Sequence, residues 1–236
     1  MKKLLTILFS VVILSSGCFR EKYEVCGDLV LHDGYAYSTV QIGDQCWFSE
    51  NCRYLPEVSP SSEGSETSPY YYVYDYQGTK VRSAKATTNY ENYGVLYNWP
   101  AMMTGCICPS GWHIPSDEEF TELTDAAIGM SLKENGFASA TQVIASFWTP
   151  PNTGATYGSG WTGLPGGLRL SDDFIQNGEL IHSSGFDGKR DYGFWWSATE
   201  AGSSSWNREL RYNSASVFRD DTISLDAGFS ARCVQD

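Results

Sequence analysis

Basic charge is scarce in this chain: 16 lysines and arginines stand against 28 aspartates and glutamates over 236 residues, a formal net charge of −12. That balance excludes nucleic acid as a partner, because phosphate binding needs a surface of the opposite sign. Histidine is scarcer still, and the three present, His32, His113 and His182, are scattered among different segments. There is no G-x-S-x-G, no phosphate loop and no paired-carboxylate motif, so the common nucleophilic and phosphoryl-transfer chemistries lack their local signatures. No apolar run reaches the roughly 20 residues that a membrane-spanning helix requires. Nor does a linker divide the chain: the low-complexity stretch Ser59 to Ser68 is too short for an interdomain tether and reads as a surface loop.

What is present begins with a leader. Lys2 and Lys3 precede an apolar run from Leu4 to Leu14, and small residues lead to Cys18, the pattern of a secretory signal. The ending L-S-S-G-C looks like a bacterial lipoprotein signal, although Ser15 stands where the commonest form has leucine. The expectation is a signal peptide over residues 1–17, lipidation of Cys18, a short anchored tether over 18–26 and one domain over 27–236. Export, and attachment to the outer membrane or cell surface through lipid alone, follow from it; plain secretion with an odd cysteine is the alternative. With Cys18 set aside, Cys26, Cys46, Cys52, Cys106, Cys108 and Cys233 remain, an even number that favours three disulfides in an exported chain. Cys106-Ile107-Cys108 is C-x-C with no histidine at ligand spacing, which argues against zinc.

The chain is organised around Cys108 to Leu123. Ser116 is an N-cap with Glu119 three residues on, a capping box, and Phe120, Leu123 and Ala127 fall on one helical face. Before it, Asp33-Gly34 and Gly43-Asp44 predict the turns of an antiparallel meander over Leu29 to Phe48. Tyr70 to Tyr76 is either a stacking surface or a strand covered on both sides. Tyr93 to Met103 reads as a helix or turn interrupted at Pro100, and Ser131 to Asn135 as one helical turn ended by Gly136. From Ser146 to Gly193 the chain is rich in glycine, proline, serine and aromatics, the composition of a long loop set whose rings must still be buried. Strand patterns return at Phe194 to Thr199, Ser205 to Tyr212, Ser216 to Arg219 and Gly228 to Val234. Strands, one or two helices, loops and strands again define an α+β domain with an antiparallel sheet.

Six segments together carry a family resemblance: V-Q-I-G-D-Q-C-W-F-S-E-N at 40–51, Y-G-V-L-Y-N-W-P-A at 93–101, C-P-S-G-W-H-I-P-S-D-E-E-F at 108–120, G-W-T-G-L-P-G-G-L-R at 160–169, G-F-W-W-S-A-T-E at 193–200 and G-F-S-A-R-C-V at 228–234. In this order they resemble the signature blocks of the Fibrobacter succinogenes major paralogous domain, a family similar to the C-type lectin-like fold. The resemblance implies two helices, a small antiparallel sheet closed by the terminal strand, a long loop region and a disulfide staple between Cys108 and Cys233. Such a staple closes a loop of about 125 residues, on the order of 4 to 5 kcal/mol of chain entropy. Cys26 is expected with Cys46, which leaves Cys52 with Cys106. Two-residue turns would put Cys26 and Cys46 about two strand spacings apart, too far for a bond, unless the first strand leaves the sheet early.

Calcium-dependent sugar binding in the lectin-like fold uses a Glu-Pro-Asn or Gln-Pro-Asp loop with a Trp-Asn-Asp strand. Trp206-Asn207-Arg208 has arginine in the acidic place, so no cofactor is called for, and calcium is left to Asp220, Asp221 and Asp226 as hard oxygen donors. The fold also hosts enzymes of the formylglycine-generating type, but an even cysteine count leaves no thiols for a redox centre. The expected function is therefore non-catalytic recognition of a carbohydrate or protein ligand, with adhesion as its setting. Its face would be the loops and outer strand carrying Tyr192, Trp206, Asn207, Glu209, Arg211, Asn213, Ser216 and Arg219. A structural surface protein without a specific ligand is the alternative.

Overall fold

A computed structural model of the chain describes residues 25–127, 130–134, 138–139, 142–143, 147–156, 158–176 and 179–236. The leader, Cys18 and most of the tether lie outside them. Asp33 and Gly34, both at positive φ, turn β1 (Val30–His32) into β2 (Tyr35–Tyr37). Ser38 then separates β2 from β3 (Thr39–Ile42), which pairs with β4 (Gln45–Phe48) in a different sheet. The first hairpin thus leaves the sheet early, and Cys26 meets Cys46 in a disulfide with Cα atoms 5.7 Å apart.

The chain continues through β5 (Tyr71–Tyr72), α1 (Val81–Lys85), α2 (Thr88–Tyr93), β6 (Leu96–Tyr97), α3 (Trp99–Met102), β7 (Trp112–His113) and α4 (Asp117–Ala126). The glycine-rich region holds β8 (Ala138–Ser139), β9 (Gln142–Val143), β10 (Leu168–Leu170), β11 (Phe174–Gln176), β12 (Glu179–His182) and β13 (Gly185–Asp187). The closing strands are β14 (Tyr192–Ala201), β15 (Ser204–Arg211), β16 (Val217–Asp220) and β17 (Val234–Gln235). Two sheets frame the domain, one in the order β3-β4-β17-β7 and one in the order β14-β15-β16, with the remaining strands in two-stranded ladders. The α+β expectation is met by small antiparallel sheets, few helices and two disulfides.

Local chemistry sets the helices. The capping box of α4 is closed in both directions: Glu119 N donates to Ser116 Oγ at 3.1 Å and Ser116 N to Glu119 Oε2 at 2.7 Å. Pro100 opens α3 rather than interrupting a helix, because the first turn has no use for its missing N–H. The turn expected over Ser131 to Asn135 is not helical where it is described: Lys133 bridges Gly163 in extended backbone, and Asn135 and Gly136 lie outside the described residues. Tyr71, Tyr72 and Tyr74 are all buried, so this tyrosine run is packing rather than a stacking surface.

Adjacent residues on a strand point to opposite faces, and the aromatic pairs Trp47-Phe48 and Trp195-Trp196 use both. Trp47 and Trp195 enter one core with Phe120, Leu123, Trp148 and Trp161, while Phe48 and Trp196 enter a second with Tyr37, Tyr97, Trp112 and Phe229. Between the cores lies a polar hub. Asn51 donates to Tyr93 O at 3.0 Å and to Ser230 Oγ at 3.1 Å, and its Oδ1 accepts from Trp195 Nε1 and Arg232 Nε, both at 3.0 Å. Arg232 is fully buried and donates further to the carbonyls of Phe48, Trp161 and Thr162.

The cysteines are divided differently from expectation. Cys108 and Cys233 are bonded, but Cys52 and Cys106 are both free thiols, so the expectation that an even count leaves no thiol is not met. Cys52 has no exposure and sits in the second core, whereas Cys106 lies on the surface ahead of buried Ile107, so the core wall separates them. Asn51→Ala should lower the unfolding free energy in urea by about 3–5 kcal/mol, since it strips a partner from the buried guanidinium and from the Trp195 indole. A loss below about 1 kcal/mol would mean that the hub does not hold the cores together.

Candidate functional site

The β14-β15-β16 sheet decides where the expected site residues go. Trp195 stands opposite Arg208 and Arg208 opposite Arg219; Phe194 stands opposite Glu209 and Glu209 opposite Phe218. Residues opposite one another share a face. Trp206, Arg208, Leu210, Val217 and Arg219 therefore lie toward α4, and Tyr192, Asn207, Glu209, Arg211 and Phe218 lie on the reverse. The eight residues do not form one surface.

On the α4 side, Asp117 is gripped by two arginines. Arg208 Nη1 donates to Asp117 Oδ1 at 2.7 Å and Arg219 Nη2 to Oδ2 at 2.8 Å. Burial alone would raise the Asp117 pKa, but hydrogen bonds from Arg219 and Arg208 outweigh it and hold it below the usual range. The Arg219 guanidinium lies 3.3 Å over the Trp206 ring, so one face of that indole is already occupied.

The reverse side is not an outward polar face. Asn207 is 1% exposed and Glu209 6%. Glu209 is held by Arg211 through a two-pronged pair at 2.6 and 2.9 Å, and Arg211 stacks at 4.0 Å over Phe218. His182, from β12, packs edge-on against Tyr192 at 4.7 Å and Phe194 at 5.6 Å. Burial pushes the Glu209 pKa up while Arg211 opposes it. The sequence alternation gave the period of the strand correctly, but the β11–β12 hairpin covers the side that composition marks as solvent-facing.

Of the expected set, Ser216 lines a cleft, with Asn213 exposed in the turn before it. This cleft, about 530 Å³, lies between the end of α4, the segment Met130 to Lys133, Gly154 and Thr156, and the β15–β16 turn. Thr124, Ser131, Thr156 and Ser216 bring hydroxyls to its lining, and Leu132, Leu210 and Val217 bring apolar surface. Gly154 is required where the walls approach, because a Cβ there would come within 2.4 Å of Ala215 Cβ. Lys133 Nζ ties the walls together by donating to Thr153 O at 2.7 Å and Ser214 O at 2.5 Å. Burial pushes its pKa down to about 8, against which the two carbonyls hold the proton. Lys133 escaped notice as a site residue because the sequence reads Ser131 to Asn135 as a helical turn, which its described residues do not form.

Among the described residues no group of three or more His, Cys, Asp and Glu side chains converges as a metal site. Asp220 is engaged with Thr222 and Asp226 with Ser171 and Arg169. No described helix is long and apolar enough to cross a membrane. The molecule is thus a disulfide-bonded α+β module with a hydroxyl-lined cleft on its loop side. It belongs to the Fibrobacter succinogenes major domain family, whose model matches residues 40–235, from β3 into β17. No curated protein and no solved structure matches the chain.

The Asp117 grip has a pH signature. A carboxylate whose folded-state pKa is depressed contributes stability above its unfolded value, and that contribution disappears as pH falls through the folded pKa. Asp117→Asn should therefore melt lower than the unsubstituted protein at neutral pH, and the two melting curves should converge as pH falls below the ordinary carboxylate range. Parallel curves across that range would show that the arginines do not couple to this carboxylate.

Proposed function

We propose that this chain is a non-catalytic, lipid-anchored binding module of the bacterial surface, lectin-like in architecture, taking a carbohydrate or protein ligand at the loop-side cleft. The observation that carries the reading is the cleft itself. Its hydroxyls and backbone surround apolar patches, the mixture that recognises hydroxylated or peptide-like ligands, and β14–β16 with α4 hold it from beneath. A frame fixed by Cys108–Cys233 and by the Asn51–Arg232 hub lets loops bind with little ordering cost. The terminal strand closing between β4 and β7, one principal helix and a long loop region support the lectin-like architecture. The anchor rests on the leader and Cys18 in the sequence.

A structural surface protein is the second reading, favoured by one observation: most of the distinctive polar residues, Asn51, Arg169, Arg208, Glu209 and Arg232, are buried in internal bonds.

A glycan array and a pull-down with residues 19–236 should return a ligand that Thr156→Trp and Ser216→Trp, which fill the cleft, abolish without lowering the melting temperature. Ligand binding untouched by both substitutions would move the site elsewhere, and no ligand in either assay would favour the structural reading. Separately, palmitate should label the full chain and fail to label Cys18→Ala; equal labelling of both would remove the anchor.

A further inference from the structure

One free thiol lies against the staple that closes the domain. Cys52 Sγ is 3.4 Å from Cys233 Sγ, compared with 2.05 Å for the Cys108–Cys233 bond itself. Backbone bonds fix this approach: Cys52 N donates to Ala231 O at 3.0 Å and Phe48 N to Cys233 O at 3.0 Å, so the attacking and attacked residues ride on neighbouring segments. Cys52 and Cys233 have no exposure at all, so Cys52 touches the staple where an external thiol has no access. Cys108 is only half-buried, and two residues before it stands the exposed free thiol of Cys106.

We propose that these four cysteines form a thiol–disulfide exchange site, in which Cys52 displaces Cys108 from Cys233 and delivers a reactive Cys106-Ile107-Cys108 dithiol to the surface. In the first step the Cys52 thiolate attacks Cys233 Sγ, the Cys52–Cys233 bond forms, the Cys108–Cys233 bond breaks, and Cys108 leaves as a thiolate that takes up the proton Cys52 gave up. This step is an isomerisation and needs no oxidant. In the second, the co-reactant is a disulfide, either small or carried by a protein. Cys106 attacks it, Cys108 displaces the mixed disulfide, and the products are a Cys106–Cys108 bond and two thiols on the co-reactant. The end state pairs the six described cysteines: Cys26–Cys46, Cys52–Cys233 and Cys106–Cys108.

The first step is held in check. Burial pushes the Cys52 thiol up to about 12, with Arg232 and Arg53 pulling it down and Glu50 pushing it further up, while the Tyr37 and Tyr97 side chains pack beside it. The thiolate fraction, and with it the rate, then rises about tenfold per pH unit through neutrality.

The test uses the folded protein purified without reductant, exposed to oxidised glutathione between about pH 7 and pH 9, then alkylated, digested without reduction and mapped by mass. The expected result is the loss of both free thiols and the appearance of Cys52–Cys233 and Cys106–Cys108 peptides, about tenfold faster per pH unit. In Cys52→Ala the reaction should stop at a Cys106–glutathione adduct with Cys108–Cys233 intact. That same adduct in the unsubstituted protein, with Cys52 still reduced at every pH, would overturn the proposal. So would scrambled pairing that draws in Cys26 or Cys46. Cys108→Ser gives an equilibrium check independent of rate: air-oxidised protein should carry Cys52–Cys233, and a folded variant with both thiols reduced would sink the idea.

Discussion

The guanidinium of Arg232 is buried with no carboxylate partner among the described residues, and the rest of the fold is arranged to supply it with acceptors. Removing an arginine from water costs several kcal/mol unless every N–H finds an acceptor. Here four of the five N–H groups find acceptors, in Asn51 Oδ1 and three backbone carbonyls, and the Trp161 ring lies 4.2 Å beneath. Burial still pulls the pKa down to about 9, which leaves the group charged at neutral pH. The acceptors fall on two stretches, Phe48 to Asn51 and Trp161–Thr162, so one cation ties the end of β4 and the glycine-rich loop to its own segment entering β17. Thr162 is held at a φ of 47° there, with its hydroxyl bonded to Ser49 O, a conformation a threonine adopts only when its surroundings enforce it.

This network explains why the resemblance carried so much about fold and so little about ligand. Five of the six blocks meet in the hub: Asn51 from the first, Tyr93 from the second, Trp161 from the fourth, Trp195 from the fifth, Ser230 and Arg232 from the sixth. The third supplies Asp117 and the capping box, locked to Arg208. Residues spent on internal satisfaction of buried polar groups cannot also face a ligand. The cleft is lined instead by Thr124, Ser131, Lys133, Thr156 and Ser216, all outside these blocks.

What was legible in the sequence was local. The Ser116–Glu119 box, the Asp33-Gly34 turn and the alternating β15 strand are written within a few residues, and each appears where expected. What was illegible depended on coverage. Glu209 and Arg211 alternate as an exposed face should, yet they form a neutralising pair under His182, a residue 27 positions earlier in the chain than Glu209, in a hairpin with no periodic signal. The cysteine count failed for the same reason: parity says how many bonds a chain is able to make, whereas burial decides which thiols meet.

The disulfide arithmetic sharpens that last point. Cys108–Cys233 closes a separation of 125 residues and a Cys52–Cys233 bond would close 181. In the chain-entropy description the two differ by only about 0.3 kcal/mol, because loop closure grows with the logarithm of length. The unfolded chain is therefore nearly indifferent between the two partners for Cys233. The choice falls to the folded state, where Cys108 joins the entrance of β7 to the terminal strand while Cys52 is already held beside that strand by the hydrogen bond to Ala231. A bond to Cys108 ties down a segment that the Asn51–Arg232 hub does not reach; a bond to Cys52 would duplicate a constraint the hub already imposes. The staple therefore stabilises most where the polar network is absent, and the thiol left over lies where the network makes a covalent link redundant.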